Sequence, residues 1–250
     1  MKPARIHIGT SGWSYAHWKG PFYPADLSDD RQMLEYYTRH FRSVEINNSF
    51  YQLPRRETLA LWRQSVPDDF IFSAKASRYI THMKKLKDPE ASIEKFFERI
   101  VELGERLGPV LFQLPPNWHY NHERLERFLD TLSRDFRYAF EFRNAGWINE
   151  RCEELLARHD IAFCVYEFDG YRSPRKVTTD FVYVRLHGPD GPYQGEYDGP
   201  ALADWADAIT GWTSQGLSVY CYFDNDESGY AAQNALRLQR ITEISGGHSQ

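Results

Sequence analysis

The chain reads FVYVRLH over residues 181–187, an apolar run that alternates between two faces and ends on a polar residue. Alternation with a period of two predicts a β-strand, with Val184 and Leu186 on one face and Arg185 and His187 on the other. Other apolar runs likewise end on a charged, amide or hydroxyl side chain. They are Arg5–Ser11, Ser43–Ser49, Ile71–Lys75, Val110–Gln113, Tyr138–Arg143, Ala162–Glu167 and Ser218–Asp224.

Segments with helical spacing separate these runs. The clearest one covers residues 93–101, and we expect Asp88 to be its N-cap and Pro89 to lie in its first turn. Regular alternation of strand and helix predicts a parallel sheet with helices outside it. At 250 residues, the chain fits a single (β/α)8 TIM-type barrel domain over residues 1–250. Residues 169–180 leave no room for a full helix, so we expect an irregular sixth crossover there.

Composition excludes several classes of protein. The net charge of −5 argues against the broad basic field of a nucleic-acid-binding protein, so no nucleic-acid partner is expected. Cys152, Cys164 and Cys221 are odd in number and show no paired spacing, which argues against a disulfide framework or a zinc site. The sequence shows no signal region and no membrane-spanning run, so we expect a cytoplasmic protein that does not contact a membrane.

Charged side chains are predicted to converge at one mouth of the barrel. The carboxyl ends of the strands form the ligand site in a (β/α)8 barrel. The inward residues there are the acids Glu45, Glu141 and Asp224, the bases Lys75, Arg143 and Arg185, and His187. A buried ion-pair network is the alternative interpretation. We favour a functional site, because apolar residues would fill a purely structural barrel top at a lower desolvation cost.

Aromatic and amide side chains extend this candidate site. Several rings lie on the long strand-to-helix loops, and two amides lie among the inward positions at the strand ends. The predicted substrate-binding set is Trp13, Tyr15, Tyr51, Trp147, Tyr193, Asn47 and Gln113. Flat rings around a polar floor suit a ring-containing ligand. The alternative is that the rings merely seal the top of the barrel.

Long motifs in the chain resemble a known family. They are IGTSGWSY at 8–15, WKGPFYP at 18–24, VEINNSFY at 44–51, LFQLPP at 111–116, EFR at 141–143 and YFDND at 222–226. Together they resemble the YecE-like family, which is domain of unknown function 72. The resemblance covers essentially the whole chain. The resemblance implies a TIM-type barrel and implies no reaction.

Other site chemistries have less support from the sequence. Neither an EF-hand calcium loop nor a dinucleotide fingerprint is complete, so no cofactor is expected. A divalent metal held by Glu45, Glu141, His187 and Asp224 has suitable ligand types. The nearby bases argue against it, because they would already neutralise the carboxylates.

The sequence therefore predicts an enzyme that acts on a small anionic, ring-containing molecule by hydrolase, lyase or isomerase chemistry. Lys75, Arg143 and Arg185 would hold the anion. Glu141 and His187 would serve as general base and acid, with Asp224 orienting the histidine. The alternatives are a metal-dependent hydrolase or isomerase and a non-catalytic small-molecule binding protein. We expect a monomer or a weak oligomer.

Overall fold

The computed structural model describes residues 4–246. The strands are β1 (Ile6–Thr10), β2 (Ser43–Ile46), β3 (Ile71–Lys75), β4 (Leu107–Leu114), β5 (Tyr138–Phe142), β6 (Ala162–Phe168), β7 (Tyr171–Arg172), β8 (Phe181–Leu186) and β9 (Ser218–Phe223). The α-helices are α1 (Asp30–Tyr37), α2 (Arg56–Gln64), α3 (Glu90–Ile100), α4 (His122–Asp130), α5 (Glu150–Arg158), α6 (Gly199–Ser214) and α7 (Tyr230–Gly246). Within these residues, no helix has both the length and the apolar character that a bilayer crossing needs.

The strands form one sheet in the order β1-β9-β8-β6-β5-β4-β3-β2, with β7 paired to β6. Neighbouring long strands run parallel, as in the pairs β1–β9, β8–β9, β3–β4 and β4–β5. A parallel bridge between Ser11 and Glu45 links the ends of β1 and β2, the two outer strands of this order. The sheet is therefore a nearly closed barrel, and the predicted (β/α)8 TIM-type fold is confirmed.

Several local predictions can be compared with the strands and helices. The third predicted strand, Ile71–Lys75, is β3 without any change of bounds. The second is shorter than predicted, because β2 ends at Ile46 and residues 48–50 form a 3-10 helix. No helix lies between β6 and β8, where the chain forms only the short antiparallel strand β7, so the irregular sixth crossover is confirmed.

The predicted cap of α3 is wrong. Asp88 has a φ of 44°, and Pro89 occupies the N-cap position. Several other helices begin as capping chemistry dictates, with an asparagine or aspartate side chain accepting from a backbone N–H in the first turn. Asn121, Asn149 and Asp198 do this for α4, α5 and α6.

The chain divides into two compact units. The first comprises Met1–Glu45, Val165–Arg175 and Asp180–Gln250, of which the described part begins at residue 4 and ends at residue 246. The second comprises Ile46–Cys164 and Lys176–Thr179. One domain over residues 1–250 stays a prediction.

Close backbone approach in the first unit depends on a glycine. A Cβ atom on Gly9 would lie 2.0 Å from the carbonyl oxygen of Ser43. The hydroxyl of Tyr37 fills the space beside them, since it donates to Ser43 O at 3.1 Å and accepts from Thr10 N at 3.0 Å. Glycine at position 9 therefore lets β1 pass close to the start of β2.

We expect Gly9→Ala to lower the free energy of unfolding by at least about 2 kcal/mol, because the new methyl overlaps rigid backbone. Gly211 is the matched control, since it lies in α6 with open space where a Cβ would stand. Gly211→Ala should raise stability by about 0.5–1 kcal/mol through helix propensity. Urea denaturation measures both, and a Gly9→Ala midpoint equal to that of the wild type would contradict the packing argument.

Candidate functional site

A buried guanidinium lies at the centre of the polar residues in the first unit. Arg185 on β8 is fully buried. Its Nε and Nη2 donate to both oxygens of Glu45 at 2.8–3.1 Å, and Nη2 also donates to Asp224 Oδ2 at 2.8 Å. We call these residues, together with Ser11, Tyr183 and His187, the Arg185 cluster.

Further donors complete the shell of Glu45, which is fully buried. Ser11 Oγ donates to Oε1 at 2.5 Å, and the Tyr183 hydroxyl donates to Oε2 at 2.7 Å. Burial, followed by the charge of Glu45, raises the pKa of Tyr183 well above its usual range. The phenol therefore stays protonated and can act only as a donor to the carboxylate.

His187 is held by the same network and is also fully buried. Its Nε2 lies 3.2 Å from Arg185 Nη1, and its Nδ1 lies 3.0 Å from Asp224 Oδ2. A guanidinium has no acceptor, so the contact with Arg185 requires a lone pair on Nε2. This geometry directs the Nε2 lone pair to Arg185 and turns Nδ1 towards Asp224.

The Arg185 cluster is thus an ion network with all its charged members buried. Glu45, Asp224 and Arg185 sum to a formal charge of −1, and the hydrogen bonds run between members of the cluster. The predicted roles of Arg185 in anion binding and of His187 and Asp224 in proton transfer stay predictions. A ligand would reach these groups only by displacing contacts that already satisfy them.

Aromatic residues of the candidate site in the first unit differ in exposure. Trp13 is buried, whereas Tyr193 is 43% exposed and its ring lies 5.6 Å from that of His187. Tyr15 donates to the carbonyl oxygen of Ser11 at 2.7 Å. Burial, then the charge of Asp224, raises the pKa of the Tyr15 phenol. Of these rings, Tyr193 offers the most surface to a ligand.

A second group of charges lies in the second unit. Glu141 on β5 is fully buried and accepts from Nε of Arg143, whose side chain is 8% exposed. Lys75 ends β3, is 5% exposed, and places its ammonium 4.3 Å from the ring centroid of Phe50. We call these four residues and His82 the Lys75 cluster.

His82 was not identified from the sequence. It lies in a π-helix, Tyr79–Met83, within a long loop where no strand or helix pattern singles it out. Its ring packs edge-on against Phe50 at 5.0 Å, and Nδ1 lies 2.9 Å from the Thr81 hydroxyl. Burial, then the positive charges of Lys75, Arg78 and Arg143, lowers the pKa of His82 to about 4.

The remaining predicted residues of the second unit lie in varied surroundings. Gln113 is 9% exposed and donates to Leu114 O at 3.4 Å, and Tyr51 is 70% exposed. Asn47 precedes the 3-10 helix and keeps a buried Oδ1 that accepts no hydrogen bond within the described residues. Trp147 is fully buried, stacks on Phe142 at 5.2 Å, and donates to a backbone carbonyl. Its contacts are those of a core residue, and its binding role stays a prediction.

The metal alternative can be compared with this geometry. Among residues 4–246, no group of three or more His, Cys, Asp or Glu side chains is arranged to hold a metal ion. Two of the four suggested ligands, Glu45 and Asp224, instead accept from Arg185. A metal there would have to replace the guanidinium.

We expect Arg185→Met to lower the free energy of unfolding by about 3–5 kcal/mol at pH 7, because two buried carboxylates lose their cation. Exposed Arg240→Met is the control, with an expected change within about 0.5 kcal/mol. Full stability of Arg185→Met in urea at pH 7 would disprove a structural role for the network.

Comparisons with known proteins agree with this architecture. A family model described as "Protein of unknown function DUF72" matches residues 7–249. UPF0759 protein YunF of Bacillus subtilis is 26% identical over 280 residues, which cover 96% of this chain and 95% of that protein. A DUF72 family protein from Thermotoga maritima has a crystal structure with a TM-score of 0.87 and 30% identity, covering 96% of this chain and 99% of that one.

UPF0759 protein YecE of Escherichia coli K12 is 32% identical over 150 residues. That match covers 60% of this chain and 52% of that protein, about half of its length. The names of these relatives state no reaction. Because the family model covers nearly the whole sequence, the resemblance is confirmed, and the chain belongs to the DUF72 family of proteins of unknown function.

Proposed function

We propose that this protein binds a small anionic, ring-containing molecule at the Lys75 cluster and acts on it by acid/base chemistry of a hydrolase, lyase or isomerase type. The observation that supports the proposal is a local excess of buried positive charge. Lys75 and the Arg143 side chain are both at least nine-tenths buried, and the buried carboxylate of Glu141 pairs with Arg143. A cation removed from water favours an anionic partner that restores the charge balance.

The charged groups around His82 show the same excess of positive charge. Three cations, Lys75, Arg78 and Arg143, act to lower its pKa, against the single carboxylate Glu141. An anion placed among these groups would gain from each cation. A guanidinium and an ammonium also bind oxyanions in complementary ways, since arginine offers a planar fork and lysine a compact point charge.

Rings beside the cations support a ring-containing ligand. Phe50 already packs against both Lys75 and His82, and Tyr51 follows it with 70% of its surface exposed. Aromatic side chains next to polar anchors bind flat molecules through stacking or edge contacts. Asn47 adds an amide to the same unit, with an oxygen able to accept from a ligand donor.

Proton transfer in this proposal depends on His82 and Glu141. With a pKa near 4, His82 is neutral at pH 7 and is only a weak base there. Glu141 is the candidate general base identified from the sequence, and it pairs with Arg143. For the first unit, we propose separately that His187 serves as general acid, Asp224 orients it and Arg185 contacts an anion.

A second candidate function is non-catalytic binding of the same molecule. It is favoured by the Arg185 cluster, where the predicted acid and its orienting carboxylate contact each other and Arg185. Turnover of a bound compound distinguishes the two functions. A metal-dependent reaction lacks a comparable supporting observation.

We further propose that the protein is a cytoplasmic monomer or weak oligomer without nucleic-acid partners. Its three buried free cysteines and net charge of −5 support this proposal.

Aromatic sulfonates and sugar phosphates should stabilise the protein against heat. Occupancy at a hundredfold excess over the dissociation constant contributes about 2.7 kcal/mol, a melting shift of roughly 5–10 °C at this chain length. Lys75→Met should raise the dissociation constant at least about tenfold, because a charged contact is lost. Lys87→Gln, an exposed lysine of the same loop, is the control and should bind normally. Flat melting curves across the panel would refute the anion site.

Anion affinity should also depend on pH through His82. Protonation of His82 adds a cation, so binding of benzenesulfonate, which does not titrate in this range, should tighten as the pH falls from 6 towards 4. Between pH 6 and 8 the contribution of His82 should be constant. Isothermal titration of the wild type and of His82→Gln tests this, and the gain in affinity should disappear in the variant. An equal gain in both proteins would assign the effect to another group.

A further inference from the structure

A groove of about 570 Å³ lies in the second unit and is lined by residues of the π-helix Tyr79–Met83 and of α3. Apolar side chains of Leu53, Ile80 and Phe96 line it, and Lys84 and Lys95 contribute ammonium groups. We call it the Lys84 groove. It shares no lining residue with the Lys75 cluster, so it is a second candidate site on its own observations.

The lining of the Lys84 groove combines apolar side chains with positive charge. Ile80 and Phe96 are 1% and 2% exposed, so their side chains are firmly packed. Asp88 is the carboxylate that lines the groove with Lys84 and Lys95, which gives the lining a formal charge of +1. Within residues 4–246, no carboxylate lies within 4.0 Å of either ammonium. The best match is an apolar body that carries one negative charge.

The backbone beside the groove is fixed in an uncommon conformation. A π-helix is rare in proteins, and those that occur are often found at functional sites. After it, Lys85, Leu86 and Asp88 have φ values of 48°, 60° and 44°. Non-glycine residues in this left-handed region persist only where surrounding contacts hold them. Leu86 is such a contact, since its side chain is 2% exposed and its N–H donates to Ile80 O at 3.0 Å.

We propose that the Lys84 groove binds a monoanionic amphiphile, an aromatic or short aliphatic body with one carboxylate, sulfonate or phosphate group. The volume lies within the range of about 300–1,000 Å³ that small-molecule pockets occupy. Tyr79 is 45% exposed, and the Lys84 ammonium lies 5.8 Å from its ring centroid, so ring and charge are presented together. The ligand's apolar body contacts the Tyr79 ring and the half-buried Leu53, and its anionic group contacts the lysines.

The probe is 8-anilinonaphthalene-1-sulfonate, titrated into the full chain by fluorescence. We expect one saturable site, with weaker binding of uncharged N-phenyl-1-naphthylamine. Ala91→Trp fills the groove from an exposed position on α3 and should weaken binding more than tenfold. Lys84→Gln and Lys95→Gln should each weaken it about threefold, as expected for a partly exposed ion pair. Lys87→Gln, an exposed lysine outside the lining, is the matched control and should bind as the wild type does.

Circular dichroism melting confirms the fold of each variant, and Ser92→Phe replaces Ala91→Trp if the latter unfolds. Unchanged probe binding in the filled variant would overturn the proposal, as would an equal loss in Lys87→Gln. Inorganic phosphate and Lys75→Met separate the two sites. If phosphate displaces the probe and Lys75→Met abolishes its binding, the probe occupies the Lys75 cluster and the groove proposal fails. If neither has an effect, the groove stands independently of the proposed function.

Discussion

The buried Arg185 guanidinium is the interaction on which the polar architecture of the first unit depends. It comes from β8 and binds Glu45 from β2 and Asp224 at the end of β9. Ser11, just after β1, donates to the same glutamate. Four strands of the barrel are therefore joined at their carboxyl ends by charged hydrogen bonds. Removing these groups from water is costly, and the cost is offset by the hydrogen bonds that Arg185 makes to both carboxylates.

The two charged clusters differ in how far their charges are balanced. In the Arg185 cluster, two carboxylates surround one guanidinium, and tyrosine, serine and histidine complete the hydrogen bonding. In the Lys75 cluster, two buried cations are accompanied by Glu141, and burial, followed by the nearby positive charges, lowers the pKa of His82 to about 4. Satisfied buried networks rigidify a structure, whereas an excess of one charge in a buried position favours a ligand of the opposite charge. This difference in charge balance is the basis for proposing the Lys75 cluster as the binding site.

Sequence patterns predicted most of the fold and part of the site. The period-two alternation of residues 181–187 identified Arg185 and His187 as inward residues, and the same reasoning on the other strands identified Glu45, Glu141 and Asp224. Each of these is buried at or near the end of a strand. The pattern reports the face and burial of a side chain, because that is what the pleat of a strand determines. It contains no information about which partner an inward charge will choose.

The sequence pattern did not determine the surroundings of two residues, His82 and Trp147. His82 lies in a π-helix whose geometry depends on tertiary contacts, so no periodic signal marked it. Trp147 lies on a strand-to-helix loop, the expected location of a ligand-binding ring, yet it stacks on Phe142 in the core.

The buried network is also connected to two of the loops that follow the strands. Ser11 begins the loop that contains Trp13 and Tyr15, and its carbonyl oxygen accepts from the Tyr15 hydroxyl. His187 precedes Gly188, whose φ of 109° turns the chain away from β8, and the N–H of Tyr193 donates to His187 O at 2.7 Å. Both loops are therefore anchored on members of the Arg185 cluster. Neutral hydrogen bonds to the backbone carbonyls of Ser11 and His187 hold the two loops, and contacts within the Arg185 cluster hold the side chains of these two residues. The constraint on Arg185 is thus a constraint on loop geometry, and the charges remain buried because their partners lie within the protein.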